Sequence, residues 1–419
     1  MSNIKVLDCT LRDGGYINEW DFGISKAKTI VELLAKSNID YIETGFITKE
    51  IASLDKTLFN SFQDIEKFIP EKADKSKLFG MITLGKFPIE EVPDINNSPV
   101  KGLRIIFKKS QKNTALEYCK KIKEKGYKLF INPTFTDQYT DSELIELLKR
   151  INEIEPYGMS IVDSMGVLKE KDLLRLYYII DNNLDKDIAL CFHSHNNLQL
   201  SFSNAQCLMK VCNNRELIID STVFGMGRGA GNLCTELITQ YINDNYNGKY
   251  NLIPILKIVD EYITPIFTKT PWGYSVPYYL AAVNHCHPNY AKYLVDKQTV
   301  PVEIINDLLH VITDDKKATY DKNFIKQIYI DNFSKTIDDK ETLEYLKNEL
   351  KNKTILIMGP GKSLIREKQK IDDFIEKNNP FIISLNLSIT SSSVNVLVSS
   401  LNVKEYAILL LFSSIPLPV

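Results

Sequence analysis

The sequence predicts an α/β protein: a (β/α)8 TIM barrel, followed by a helical C-terminal extension and a short, incomplete α/β tail. Three observations lead to this prediction. Short apolar runs alternate with longer amphipathic runs up to about residue 245. The short runs number eight, which is the strand count of such a barrel. Polar residues cluster where these runs end, at the edge where barrels of this kind carry their chemistry.

The eight short runs are continuous in apolar residues, a pattern typical of parallel strands covered by helices on both faces. We predict strands at Ile4–Leu7, Tyr41–Thr44, Leu78–Ile82, Gly102–Phe107, Leu129–Asn132, Met159–Val162, Ala189–His193 and Leu217–Asp220.

The longer runs repeat their apolar residues with a period near 3.6, as Ile30, Leu33 and Leu34 show. We predict helices at Ser25–Lys36, Thr57–Phe68, Asn113–Lys125, Asp141–Ile154, Lys169–Asn182, Leu198–Cys212 and Asn232–Ile242. The alternative is a doubly wound open sheet, which usually has fewer strands and a GxGxxG first turn. The first turn here reads DGG and does not fit that pattern.

Changes in composition predict three domains. Residues 1–250 form the barrel, 251–350 a helical extension rich in Tyr, Pro and Lys, and 351–419 a small Rossmann-like segment that is too short to be complete. The turn Gly359–Ser363 follows a strand and fits either a phosphate site or a tight strand–helix turn. The charge-poor tail fits an interaction strand or an altered reading frame equally well.

The composition excludes several classes of protein. A net charge of −2 gives no reason to expect nucleic acid or an anionic membrane as a partner. Seven cysteines are scattered without a CxxC pair, which indicates a reduced, cytoplasmic chain. We find no signal-peptide pattern and no apolar segment of the roughly 20 residues that a membrane span needs.

The stretch DCTLRDGGY places Arg12 and Asp13 directly after the first strand. The motif FHSH ends the seventh strand, and because alternate residues of a strand share one side, His193 and His195 present two imidazoles together. The glycine turn GMGRGAGN follows the eighth strand and ends at Asn232. Taken alone, this last motif would fit a phosphate-binding turn at a helix N-terminus or a turn that closes the barrel.

Asp13, His193, His195 and Asn232 together offer two oxygens and two nitrogens. A mixed set without thiolate suits Mg²⁺, Mn²⁺ or Co²⁺ better than structural zinc. Such a metal with open positions acts as a Lewis acid, and Arg12 beside it would stabilise an enolate.

These three motifs resemble the metal-dependent barrel lyases and acyl transferases, the family of 3-hydroxy-3-methylglutaryl-CoA lyase, 2-isopropylmalate synthase and 4-hydroxy-2-oxovalerate aldolase. The resemblance covers roughly residues 1–245, and the aldolase branch has the most similar glycine loop. It implies that Asp13, His193, His195 and Asn232 bind the metal, Mn²⁺ or Mg²⁺ with Co²⁺ or Zn²⁺ as alternatives. It also implies that Arg12 holds the enolate.

The resemblance assigns further residues and shows two departures. Glu43 and Asp163 match family positions near the substrate, and Asn132 ends the fifth strand beside them. Tyr16 stands where the aldolases carry a histidine base, so we expect it, or a residue elsewhere, to move the proton. Tyr274 lies where those aldolases extend a tyrosine into the site. The lyases' loop cysteine is absent, and the loop holds Arg228 instead.

The function expected from the resemblance is an aldolase or lyase that acts on a 2-oxo acid, such as pyruvate, together with an aldehyde. One alternative is a Claisen-condensing synthase, although the glutamate that this branch carries after the first-motif glycine is missing. The other is a non-catalytic barrel that binds a metal or ligand within an assembly. A homo-oligomer and a dehydrogenase partner stay open. For His285 and His287, a helix stop at Pro288 is favoured over a second metal site.

Overall fold

The computed structural model describes residues 3–50, 55–297, 300–333, 340–358 and 366–384. Contacts divide the chain into two compact units, Met1–Ile330 and Asp331–Val419. The barrel belongs to the first unit, together with most of the helices that follow it. The domain boundaries expected near residues 250 and 350 stay a prediction.

Eight parallel strands close into the predicted (β/α)8 barrel, because β1 pairs with both β2 and β9. A ninth short strand, β3, pairs with the outer edge of β2. The strands of this sheet are β1 (Ile4–Asp8), β2 (Tyr41–Ile47), β3 (Leu58–Phe59), β4 (Leu78–Thr83), β5 (Gly102–Phe107), β6 (Lys128–Pro133), β7 (Gly158–Asp163), β8 (Ala189–Ser194) and β9 (Leu217–Ser221).

α-Helices follow the barrel strands and bury their apolar faces in one continuous core, except after β4, which is followed by two short 3-10 helices, Ile89–Glu91 and Ile95–Asn97. In this part of the chain they are α1 (Gly15–Asn18), α2 (Ile24–Lys36), α3 (Phe62–Glu66), α4 (Lys112–Glu124), α5 (Asp141–Ile154), α6 (Glu170–Asn183), α7 (Ser201–Val211) and α8 (Thr235–Tyr246). The last predicted helix starts three residues later than expected, at Thr235, because Asn232 is held in the glycine turn.

The helix predicted over residues 57–68 is wrong in its first half. The carbonyl groups of Thr57 and Phe59 accept hydrogen bonds from backbone N–H groups near the end of β2, at 3.1 and 2.8 Å. This pairing with β2 outweighs the local helical pattern. The helix begins only after Ser61, whose hydroxyl accepts from the N–H of Asp64 as an N-cap.

The helices after the barrel are α9 (Leu252–Ile258), α10 (Thr264–Lys269), α11 (Val276–Val283), α12 (Pro288–Val295), α13 (Val302–His310), α14 (Asp314–Lys317) and α15 (Lys322–Phe333). α9 and α10 pack against the barrel core through Ile255, Ile258 and Ile266. The later helices form a second apolar cluster of their own, centred on Tyr290, Leu294 and Leu309. Pro288 starts a helix here and does not stop one, because it occupies the first position of α12, where its missing N–H costs nothing.

The second unit contains α16 (Lys340–Leu350), β10 (Ile355–Met358), α17 (Lys368–Asn378) and β11 (Phe381–Ser384). The two strands are parallel, as expected for a strand–helix–strand segment. The turn Gly359–Ser363 and the tail from Tyr406 lie outside the described residues. Across the part of the chain that is described, no helix is both long and apolar enough to cross a membrane.

Arg215 fastens the end of α6 to the start of β9. It is 5% exposed, and its Nε donates to a carboxylate oxygen of Asp181 at 2.9 Å. Its two terminal nitrogens donate to backbone carbonyls around the end of α6, those of Asp181, Leu184, Asp185 and Ile188. The guanidinium therefore supplies partners to carbonyl groups that the helix end leaves without any.

We predict that Arg215→Met lowers the free energy of unfolding by about 3 kcal/mol, because the buried carbonyls of Leu184 and Ile188 lose these donors and the carboxylate of Asp181 is left with Lys186 alone. Arg175→Met is the matched control, since Arg175 pairs with Asp141 on the exposed side of α6. It should change stability by less than about 1 kcal/mol. Urea denaturation followed by circular dichroism measures both, and equal effects of the two substitutions would contradict the assignment.

Candidate metal centre at the carboxyl ends of the barrel strands

The chain turns sharply after β1 and presents Arg12 and Asp13 on a single π-helical turn, Thr10–Gly14. The carbonyl of Cys9 accepts from the N–H of Arg12 and of Asp13, at 3.0 and 2.8 Å. The indole N–H of Trp20 donates to the carbonyl of Arg12 at 2.7 Å. Turns of this kind recur at functional sites. Here the turn fixes two buried charged residues at the mouth of the barrel.

Asp13, His193 and His195 meet at this mouth, although they are far apart in the sequence. One ligand atom of each lies within 4.8 Å of the others, and His193 Nε2 is 4.0 Å from Asp13 Oδ2. All three are at most 9% exposed. The three side chains are therefore close enough to bind one cation, and their role as metal ligands stays a prediction.

Asn232, the fourth predicted ligand, lies beside them. Its Nδ2 donates to Asp13 Oδ2 at 2.6 Å and to the carbonyl of Met226 at 3.1 Å. Its Oδ1 is buried and has no hydrogen-bond partner in the structure as described. Because an unpaired buried amide oxygen is costly, a cation bound here would supply the missing partner. The residues present thus fit a divalent ion.

Backbone pairing brings the glycine turn to the histidines. His195 and Asn232 form an antiparallel bridge, and the N–H of Asn196 donates to the carbonyl of Gly231 at 2.8 Å. Gly231 has φ of +83°, and a Cβ there would lie 2.1 Å from the carbonyl oxygen of Gly225. Only glycine fits this position, which explains the glycine-rich sequence before Asn232.

The orientation of His193 is set by Asp220, a residue that the sequence analysis did not assign. Asp220 Oδ2 accepts from His193 Nδ1 at 3.0 Å and also from Arg104, which reaches it across the barrel from β5. With its Nδ1 used in this way, the ring turns Nε2 towards Asp13. Carboxylates in this position fix the tautomer of metal-binding histidines and raise their basicity.

Cys9, His193 and Asp220 form a second group of ligand types within reach of one another. Burial raises the pKa of the Cys9 thiol well above its ordinary value, helped by the negative charges of Asp220 and Glu43. Asp220 Oδ2 is engaged by Arg104 and His193, and Asp220 Oδ1 has no hydrogen-bond partner in the described structure. The other group, Asp13, His193 and His195, adjoins the unpartnered Oδ1 of Asn232, and its assignment as the metal ligands stays a prediction.

Charge favours cation binding at this place. Burial alone would raise the pKa of Asp13, but the charge of Arg12 holds it well below its usual range. Burial lowers the pKa of His195 to about 3, against the opposing attraction of Asp13. The site therefore offers an ionised carboxylate and an imidazole with a free lone pair at neutral pH.

Arg12 is clamped between two carboxylates. Its Nε donates to Glu43 Oε2 at 2.7 Å, and its NH1 donates to Asp13. Glu43 is fully buried, and its Oε2 lies 3.5 Å from NH1 of Arg104. These bonds use two of the five N–H donors of the Arg12 guanidinium. The arginine is thus fixed beside the candidate metal ligands with donors to spare.

The other predicted site residues occupy different positions, and their roles stay predictions. Asn132 is buried at the end of β6. Tyr16 is half-buried in an aromatic cluster with Trp20 and Phe46. Tyr274 is 59% exposed in the segment before α11.

The carboxylate of Asp163 accepts hydrogen bonds from the backbone. Its oxygens accept from the N–H groups of Val167 and Leu168, at 2.9 and 3.2 Å, and so hold the loop after β7. Burial raises its pKa to about 7, partly offset by these bonds. The geometry gives Asp163 a positioning function, beside the substrate contact that the resemblance implies.

Sequence reasoning missed Asp220 and Arg104 although both carried a signal. Arg104 interrupts the apolar strand GLRIIF, where an unpaired charge would be very costly, and Asp220 ends the eighth barrel strand as the other site residues end theirs. For His287 the sequence predicts only a position at a helix end. In the structure, its Nε2 also lies 3.3 Å from NH1 of Arg228 in the glycine turn.

Comparisons with known proteins show similarity to a family model, to enzymes and to solved structures. Residues 103–260 match the family model HMGL-like. A 4-hydroxy-2-oxovalerate aldolase from Chloroflexus aurantiacus is 23% identical over 314 residues, which is 72% of this chain and 89% of that protein. An oxaloacetate decarboxylase from Mycobacterium tuberculosis is 23% identical over 272 residues, 65% of this chain and 79% of that protein.

Among solved structures, the N-terminal domain of a putative aldolase from Bacteroides vulgatus superposes with a TM-score of 0.58 at 26% identity. The match covers 72% of this chain and 98% of that domain. The resemblance drawn from the sequence motifs is confirmed at the level of the superfamily.

We predict that Asp220→Asn weakens Mn²⁺ binding by about 10–100-fold, because His193 loses the carboxylate that orients it. Asp13→Ala should abolish measurable binding, whereas Cys9→Ala should leave it unchanged. Isothermal titration calorimetry of the metal-free protein with MnCl₂ measures all three. If Cys9→Ala lost binding and Asp13→Ala kept it, the metal would belong to the group Cys9, His193 and Asp220 instead.

Asp163 should make the stability of the fold depend on pH. Because the pKa of Asp163 is higher in the folded chain, the unfolded chain releases this proton first, and stability falls as pH rises from about 4 to about 7. Asp163→Asn removes this contribution. The stability of the variant relative to wild type should therefore rise between pH 4 and pH 8, by up to about 4 kcal/mol. Urea denaturation at each pH measures it, and a constant or falling difference would contradict the shift.

Proposed function

Because the barrel fits the metal-dependent TIM-barrel lyase superfamily, we propose that the chain is a divalent-metal-dependent aldolase or lyase that acts on a 2-oxo acid through a pyruvate enolate. The observation that carries this proposal is the convergence of Asp13, His193, His195 and the unpartnered Oδ1 of Asn232 beside the clamped guanidinium of Arg12. The names of the two relatives support it, since 4-hydroxy-2-oxovalerate and oxaloacetate are both 2-oxo acids.

A divalent ion held by these residues supplies a Lewis acid for a substrate that chelates through its carboxylate and keto oxygens. The two nitrogen and two oxygen donors, without thiolate, favour Mn²⁺ or Mg²⁺, with Co²⁺ or Zn²⁺ as alternatives. In this proposal Asp13 also keeps Arg12 in place through their mutual ion pair.

Arg12 is the residue that stabilises negative charge on the substrate oxygen. Its position is set in advance by Glu43 and Asp13, so that no reorganisation is needed when charge develops. Glu43 thus acts on the substrate through Arg12, and its own Oε1 is buried without a partner in the described structure. Asn132 is the polar side chain that ends β6 on the same rim.

Tyr16 is our candidate for proton transfer from the β1 side of the site. It follows Asp13 by three residues, and the guanidinium of Arg228 lies 3.7 Å from the centre of its ring. Tyr274 would have to move from its exposed position to take part. Of the two tyrosines, the geometry favours Tyr16.

We predict that the protein with Mn²⁺ exchanges the methyl hydrogens of pyruvate for deuterium, because enolate formation needs no second substrate. Arg12→Met should reduce the exchange rate by about 100-fold or more, as expected for the loss of a donor that stabilises an oxyanion. Asp13→Ala should abolish it. Proton NMR in D₂O follows the methyl signal, and Arg175→Met on the exposed side of α6 is the control.

If tight Mn²⁺ binding came with no exchange for pyruvate or any other 2-oxo acid tested, the enolate proposal would be wrong. A barrel that binds a metal within an assembly would then be the better reading. Exchange that survives Arg12→Met unchanged would remove this arginine from the mechanism while keeping the metal chemistry.

A further inference from the structure

Arg228 is a cation without a carboxylate partner. It lies in the glycine turn four residues before Asn232, half-buried, with its guanidinium over the ring of Tyr16. Within the described ranges, no Asp or Glu oxygen comes within ion-pair distance of it. Its positive charge nevertheless acts on Asp13 and His195, so it stands next to the candidate metal ligands.

His287 reaches the same place from the helical extension. It is the N-cap of α12, and its Nδ1 accepts from the backbone N–H of Asn289 at 3.1 Å. Its other nitrogen, Nε2, lies 3.3 Å from NH1 of Arg228. The barrel loop and the extension therefore meet at these two side chains.

The bond to the helix determines where the proton of His287 lies. A backbone N–H always donates and cannot turn away, so Nδ1 must keep its lone pair, and the neutral ring carries its hydrogen on Nε2. Nε2 and the Arg228 guanidinium are then both donors. Two donors 3.3 Å apart cannot bond to each other, and an acceptor that lies against both of them satisfies both.

The charged side chains that act on His287 are positive. They are Arg228 from the glycine turn and Lys108, which follows β5, and Tyr320 stacks on the ring of His287. Burial, followed by the charges of these residues, lowers the pKa of His287 to about 3. The ring therefore stays a neutral donor at any physiological pH and does not serve as a base.

We propose that Arg228 and His287 Nε2 bind an anionic group, a carboxylate or a phosphate, on the aldehyde that combines with the enolate. This inference rests on the proposed function of the metal centre, and it narrows the second substrate to aldehydes that carry an oxyanion. A charged guanidinium and a neutral N–H donor together suit such a group, because hydrogen bonds to charged oxygens are the stronger ones.

Paired aldehydes test the proposal. Succinate semialdehyde and glycolaldehyde phosphate carry the two candidate anions, and butanal and glycolaldehyde are their neutral counterparts. Binding of each to the metal-free protein is measured by saturation-transfer NMR. Condensation with pyruvate in the presence of Mn²⁺ is measured as kcat/KM. We expect at least one anionic aldehyde to exceed its neutral counterpart by roughly tenfold or more in both measurements.

His287→Asn is the sharpest variant, because the Asn Oδ1 can still cap α12 while the Nε2 donor is removed. It should lower binding of the preferred anionic aldehyde by roughly tenfold and leave that of the neutral one unchanged. His287→Gln, whose longer amide can replace the donor, should recover part of the loss. Arg228→Met should act as His287→Asn does.

The matched control is His285→Asn. His285 is exposed two residues earlier and has φ of +54°, a conformation that Asn tolerates. Equal binding of anionic and neutral aldehydes by the wild type, or an unchanged preference in both His287→Asn and Arg228→Met, would overturn the proposal.

The two levels of proposal can fail separately. Pyruvate methyl exchange involves no aldehyde, so its absence contradicts the enolate chemistry alone. Anion-selective binding to the metal-free protein needs no turnover, so its absence contradicts the anion site alone. A preference for carboxylate over phosphate, or the reverse, supports the site and identifies the group that it takes.

Discussion

The carboxylate of Asp220 is the group on which the rest of the centre depends. It accepts hydrogen bonds from His193 on the neighbouring strand and from Arg104 on the opposite wall of the barrel. One buried carboxylate therefore orients the imidazole and links two opposite strands. Arg104 also faces Glu43, which in turn holds Arg12. Opposite charges therefore alternate from β9 through β5 and β2 to the turn after β1. Each is tolerable in the interior only because the next one is present.

Much of this arrangement could be predicted from the sequence, because it follows from the geometry of parallel strands. Parallel strands in a closed barrel end at the same rim, so polar residues that follow separate strands must come together there. Asp13, the two histidines and Asn232 are therefore expected at one place from the sequence alone. The barrel followed from the alternation of continuous apolar runs with amphipathic ones. Both inferences use only the period of the pattern and the direction of the strands.

What the sequence could not supply are contacts between residues with no periodic relation. Arg104 and Asp220 are 116 positions apart, and their pairing depends on which strands face each other across the barrel. The prediction of a helix over residues 57–68 was wrong for a similar reason, because its first residues pair with β2 as a short strand. Pro288 next to it made His287 look like a helix boundary, because the rules for helix ends use only neighbouring residues. Such rules cannot predict that His287 lies close to Arg228, which belongs to a distant loop in the sequence.

The meeting of Arg228 and His287 has a consequence for how such enzymes diversify. In the proposed function, side chains of the barrel rim bind the ion and the enolate, whereas His287, one of the two proposed donors to the second substrate, belongs to helices with their own apolar core. Evolution can exchange or remodel those helices and change which aldehyde is accepted while the chemistry at the rim is inherited intact. Under this proposal, specificity for the aldehyde depends on the helices after the barrel and can change independently of the barrel itself.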